Sequence, residues 1–153
     1  MSEFIKQKTL LIKELTNTIS HKVLVIDNEI LGLIGSRDSD TKSSVGDKHE
    51  TSRAKIQTEI DQLSQQLFNA NKQKNDLSAI DVAKNYNSAD VGSLIETNNG
   101  NYFISIGWGR IQIENENYFV ISLGSPIGRM LQNQKKGDRF KFRNIDYSIL
   151  KIS

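Results

Sequence analysis

Four carboxylates fall between positions 38 and 50: Asp38, Asp40, Asp47 and Glu50. Asp47 and Glu50, in the string Gly46-Asp47-Lys48-His49-Glu50-Thr51, stand three residues apart, a spacing that brings two side chains together at a helix start. One reading is structural, since Asp at an N-cap with Glu three residues later is the carboxylate version of a capping box. The other is chemical: two exposed carboxylates at this spacing can bind a hard cation such as Mg²⁺. The two are compatible, because a cap uses only part of a carboxylate's acceptor capacity. Magnesium keeps several waters and takes one or two protein carboxylates, so the pair suits an ion shared with another macromolecule. Asp38 and Asp40 are further candidates for that ion, whereas His49 reads as solvated or capping and His21 as a helix residue without a chemical role.

A second constellation lies at Ile121-Ser122-Leu123-Gly124-Ser125-Pro126-Ile127-Gly128-Arg129, followed by Lys135-Lys136-Gly137-Asp138. It reads as a strand, a Ser-Pro helix start, a short helix and a Gly-Asp turn. Ser125 is a poor nucleophile, because no G-x-S-x-G elbow surrounds it and no partnered His and Asp follow. Arg129, Lys135, Lys136, Arg139, Lys141 and Arg143 concentrate cations in this stretch. Strand alternation puts Arg139, Lys141 and Arg143 on one face and Phe140 and Phe142 on the other. That pattern describes a solvated face over a buried one, or a docking surface for an acidic partner. No aromatic stacking platform interleaves with the charges as nucleic-acid binding would require.

These residues must be held by elements of two kinds. From Phe4 to about Ser36, Leu11, Leu15, Ile19, Val23, Ile26, Ile30 and Leu33 recur at three- and four-residue steps, predicting a long amphipathic helix. A second such run goes from about Asp47 to Asp76 through Ile56, Ile60, Leu63, Leu67 and Ala70. Between them Arg37 to Gly46 is small, polar and charged, the tip of a helical hairpin. Two helices of roughly 30 residues give an antiparallel arm on the order of 45 Å long. After Asp76 the period changes. Val91–Thr97, Tyr102–Ile106, Tyr118–Leu123, Arg139–Arg143 and Tyr147–Ile152 alternate and are rich in β-branched and aromatic residues, with Asn99-Gly100 as a hairpin turn. Pro126, the single proline, opens a short helix over Ile127 to Leu131. The expected class is α+β: an N-terminal antiparallel helical hairpin, or coiled coil, over 1–76 with its tip at 37–50, then a small antiparallel sheet with one short helix over 77–153.

Composition narrows the chemistry. The 153 residues include no cysteine and two histidines, which excludes disulfides, thiolate catalysis and zinc ribbons. The net charge of +2 is too small to argue for nucleic acid. No apolar run reaches the ~18 residues of a membrane span, and the N-terminus lacks a signal-peptide pattern, so the expectation is a cytoplasmic protein.

With these residues in view, the chain resembles the Gre transcription elongation factors of bacterial RNA polymerase over nearly its whole length. ISLGSPIGRMLQNQKKGDRFKF is similar to that family's C-terminal signature, and Gly46-Asp47-x-x-Glu50 coincides with its tip motif. The resemblance implies an FKBP-like C-terminal domain over 77–153. It implies an arm that enters the polymerase secondary channel, and a tip where Asp47 and Glu50 help hold a second Mg²⁺, shared with the polymerase, during cleavage of backtracked RNA. The factor would then be an accessory to the polymerase's own reaction, with no cofactor of its own, acting as a monomer and meeting nascent RNA only inside the polymerase. Ser125, Pro126, Ile127, Gly128, Arg129, Lys135 and Lys136 would grip the polymerase surface. The family's tip has an apolar residue after the Asp and an Asn after the Glu, where this chain has Lys48 and Thr51. Lys48 opposes cation binding by Coulomb repulsion. The alternatives are therefore a secondary-channel regulator without cleavage activity, an FKBP-like isomerase or chaperone using Tyr102, Phe103, Trp108 and Phe119, and a coiled-coil adaptor.

Overall fold

The computed structural model describes residues 2–40 and 46–153, and the side chains of residues 40 to 49 lie outside that description. The chain is α+β: a long helical pair, α1 (Glu3–Asp40) and α2 (Gly46–Ser78), precedes a six-stranded mixed sheet with one short helix. Both helices outrun their expected bounds. α1 continues through Arg37 and Asp38 to Asp40, so the polar run assigned to the tip is in part helix. Nothing in those residues breaks a helix, and Ser39 Oγ bonds back to the Gly35 carbonyl at 2.8 Å.

The chain divides into two compact units, residues 1–15 with 76–153, and residues 16–75. In the second unit Ile19 and Ile26 of α1 and Ile60 and Ala70 of α2 are buried, the seam expected of two amphipathic helices. Arg37 Nη1 donates to Gln57 Oε1 at 2.7 Å, tying the end of α1 to the early turns of α2.

In the first unit the strands are β1 (Leu94–Thr97), β2 (Gly100–Ile104), β3 (Gly109–Ile113), β4 (Glu116–Ile121), β5 (Arg139–Phe142) and β6 (Ile145–Ile152), with α3 (Pro126–Leu131) between β4 and β5. Their order is β3-β4-β2-β1-β6-β5. Four pairings are antiparallel as expected, but β2 and β4 run parallel, Asn101 to Ile104 beside Tyr118 to Ile121. The sheet is mixed because β3 lies outside β4, so the chain passes to the edge before β4 returns alongside β2.

Three hairpins close through two-residue loops. Glu114-Asn115 and Arg143-Asn144 both have positive φ, the mirror-image turn that matches strand twist. In the β1–β2 hairpin the loop residues are Asn98-Asn99, and Gly100 opens β2 at φ +122° opposite Thr97. The turn is thus one residue earlier than the Asn99-Gly100 expectation. Thr97 Oγ1 fixes it by accepting from the Asn99 amide at 3.0 Å and donating to the Gly100 carbonyl at 2.8 Å.

One sheet face buries Ile95, Tyr102, Ile104, Tyr147 and Ile149 together with Ala89 and with Leu131 of α3. The Tyr102 and Phe119 rings stack at 5.3 Å, and Phe140 and Tyr147 at 5.0 Å. Leu94, Phe103, Tyr118 and Val120 alternate to the opposite face and are also buried. There Gln7 of α1 reaches the Tyr118 hydroxyl at 3.3 Å.

Candidate functional site

Two regions carry the candidate residues. Where α1 ends and α2 begins, Asp47 and Glu50 both lie in the first turns of α2, which starts at Gly46. The Asp47 and Asp40 side chains, with Lys48 and His49, lie outside the described residues. Glu50 is exposed and lines a shallow depression of about 340 Å³ together with Arg37, Arg53, Ala54 and Gln57. Asp38 sits on the last turns of α1, exposed, with its Oδ1 3.3 Å from Arg37 Nε.

The electrostatics follow from that lining. Among the described residues, one carboxylate shares the depression with two guanidinium groups, which are permanently charged. Arg37 is also paired with Asp38, whose Oδ1 stands 3.3 Å from its Nε, while Arg53 places a second positive charge beside Glu50. No group of three or more His, Asp or Glu side chains suited to a metal occurs among the described residues.

The second region is built from β4, α3 and the turn into β5. Ser125 is the N-cap of α3, with extended backbone at φ −67° and ψ 160°. Its Oγ accepts from the Gly128 amide at 3.1 Å and donates to the Ser122 carbonyl at 2.7 Å. The hydroxyl's proton and one of its acceptor positions are thus held by local structure. Pro126 occupies the first helical position, where its missing N–H costs nothing. Gly128 is buried. A Cβ there would collide with the Ser122 carbonyl oxygen and stand 2.8 Å from that of Leu123.

After α3 the chain returns as backbone. Asn133, in the left-handed region at φ 67°, donates its amide to the Ala89 carbonyl at 3.0 Å, and the Ala89 amide donates to Gln134 at 2.9 Å. Asp138 then caps the turn before β5, its Oδ2 accepting from the Lys135 amide at 2.7 Å. The Arg129, Lys135 and Lys136 side chains are left exposed, while Ile127 packs against the core. Along β5, Arg139 and Lys141 face solvent and Phe140 and Phe142 turn inward. Arg143 belongs to the turn and covers the Phe142 ring at 4.9 Å.

Within the first unit, residues without a sequence signal for function pack around the first turns of α1. Lys8 is fully buried between the rings of Phe4 and Tyr86. A cavity of about 300 Å³ is lined by Glu3, Lys6 and Gln7 of α1 and by Glu114, Glu116 and Tyr118 around the β3–β4 turn. Among the aromatics considered for an isomerase pocket, Tyr102 and Phe103 are buried on opposite sheet faces. Trp108 is half-buried just before β3. Phe119 stacks on Tyr102 at 5.3 Å, on the face opposite to Phe103. Comparison with protein-family models, with curated proteins and with solved structures found no match.

Proposed function

We propose that this chain is an RNA polymerase-binding factor of Gre type, whose helical pair enters the secondary channel while the sheet domain grips the polymerase surface. The observation that carries this reading is the chain order of two unlike parts. A long helical pair with Gly46-Asp47-x-x-Glu50 at the start of its second helix precedes a sheet domain whose Ser125-Pro126-Ile127-Gly128 forms a capped helix start. Three letters of that motif have a physical reason at the helix start: Ser125 is an acceptor, Pro126 fixes φ, and Gly128 sits where a Cβ would not fit. In this reading Asp47 and Glu50 assist the polymerase's cleavage of backtracked RNA.

The deciding experiment uses a stalled, backtracked elongation complex with cognate polymerase in Mg²⁺ buffer. Wild-type protein shortens the RNA, and the Asp47→Ala/Glu50→Ala variant does not. Absence of binding to core polymerase overturns the proposal.

A second reading has its own observation. Glu50 shares its depression with Arg37 and Arg53, and Lys48 follows Asp47 directly. Those cations favour a secondary-channel regulator that occupies the polymerase without stimulating cleavage. Binding to polymerase with unchanged RNA length selects this reading.

A further inference from the structure

The residues between α2 and β1 hold a group that neither unit's apparent function uses. Lys8 is 0% exposed, on a helix turn that begins at Phe4, and its Nζ donates to the Lys84 carbonyl oxygen at 3.0 Å. Nζ stands 5.1 Å from the centre of the Phe4 ring and 4.8 Å from that of Tyr86. No carboxylate among the described residues comes within ion-pair distance of it.

The Lys8–Lys84 bond matters because of what else holds this segment. Within residues 81–87 the other hydrogen bonds are local: the Lys84 amide to the Asp81 carbonyl, and the Ala83 amide to Asp81 Oδ1. Firm pairing to the rest of the unit resumes only at Ser88 and Ala89. Among the described residues, Lys8 thus supplies the hydrogen bond that ties 81–87 to another element. Tyr86 completes the closure, its hydroxyl lying against Gly92, where a Cβ would stand 2.6 Å away.

We propose that Lys8 is a protonation-controlled latch: as a neutral amine it holds residues 81–87 against the first turns of α1, and as an ammonium ion it loosens them. An ammonium carries three N–H donors, and this site offers one carbonyl acceptor and two ring faces in place of water. A neutral amine can still donate to the Lys84 carbonyl while losing the charge that burial penalises. The ionisable groups acting on Lys8 come from the connecting segment. Asp81, exposed, favours the charged form from beyond ion-pair distance. The Lys84 ammonium sits 4.7 Å from the centre of the Tyr86 ring, which the two lysines share. Tyr86 itself is held protonated by burial and by Asp90 and Asp81. Burial dominates over Asp81 and brings the Lys8 amine down to about 8.

The test is amide exchange of the full chain at pH 7 and pH 9, each amide normalised to its intrinsic rate, with an NMR titration of Lys8 Nζ alongside. The opening equilibrium of a site whose lysine falls from 10.5 to about 8 changes about tenfold between those pH values. Protection of the Ala83 and Lys84 amides is expected to rise by that factor at pH 9, while Lys8→Met makes their protection independent of pH. A Lys8 titration at the ordinary lysine value overturns the latch. So does equal protection of Ala83 and Lys84 at both pH values, a result that needs only wild-type protein.

Discussion

The Ser125 hydroxyl and the Gly128 backbone lock one another in place: Oγ accepts from the Gly128 amide at 3.1 Å, and a Cβ on Gly128 would stand 2.9 Å from that same oxygen. The cap and the glycine are one device, because the helix can approach β4 this closely only when position 128 carries no side chain. Gly128→Ala must therefore push α3 off the Ser122 and Leu123 carbonyls and disturb Leu131, which is fully buried in the core. We expect a loss of about 3 kcal/mol, at the upper end of overpacking costs, measured by urea unfolding. A loss below about 0.5 kcal/mol, the size of an ordinary surface change, would show that the helix start has room to move.

Ser125→Ala removes the cap without adding bulk. It leaves the Gly128 amide unpartnered and should cost about 1 kcal/mol. Asp or Asn at 125 restores an acceptor, so Ser125→Asp should recover part of the loss. Urea midpoints for the two variants give the comparison.

Gly100 has φ +122° and lies under the Phe119 ring, with a Cβ 3.1 Å from its edge. Gly100→Ala combines backbone strain with pressure on the Tyr102–Phe119 stack, and an expected cost of about 1–2 kcal/mol follows from the backbone alone. The near-ultraviolet circular dichroism of the stacked rings should change in parallel.

The buried tyrosines set the alkaline limit of stability. Burial pushes the Tyr102 and Tyr118 hydroxyls above the usual range, helped by Tyr147 in the first case and Glu116 in the second. The folded state then holds these protons more tightly than the unfolded chain. That contribution is complete below pH 10 and is lost as pH rises beyond it. Lys8 acts in the opposite direction. Its amine is lowered to about 8, so stability rises from pH 8 towards 10.5 as the unfolded chain gives up its proton. Unfolding free energy should thus climb above pH 8 and fall once the pH passes 10. Tyr118→Phe removes hydrogen bonds to Glu116 and Gln7 at a cost of about 1 kcal/mol, and flattens the alkaline fall. Urea titrations across this range in both proteins check the shape.

Much of this architecture is written locally. Leu11, Leu15, Ile19 and Ile26 mark the buried stripe of α1 by spacing alone, and Pro126 after Ser125 marks α3. The strand β3 was not among the expected elements. Arg110-Ile111-Gln112-Ile113 is short, and Gly107-Trp108-Gly109 before it reads as a turn. The parallel pairing of β2 with β4 has no local signature, because alternation gives a strand its faces but not its neighbour. Lys8 was hidden by its type. It falls four residues after Phe4 and three before Leu11, on the apolar stripe, and that position rather than its charge is the signal that it is buried. At the start of α2, spacing identifies Glu50 as a candidate, but the arginines that share its depression come from both helices and are far apart in sequence.

The exposed cations around α3 offer the last test, one that separates binding from folding. Lys135 and Lys136 project from a turn whose backbone is held by Asp138 Oδ2 and by the Gly137 amide on the Ile149 carbonyl, so their side chains bear no structural load. Reversing both charges, Lys135→Glu with Lys136→Glu, should leave the urea midpoint within error of wild type. If this face grips an acidic polymerase surface, the same variant binds core polymerase at least about tenfold more weakly, chiefly through slower association, and its affinity depends less steeply on salt. Unchanged affinity and an unchanged salt slope would remove Lys135 and Lys136 from the interface and leave Ser125 to Arg129 as the docking candidates in this region.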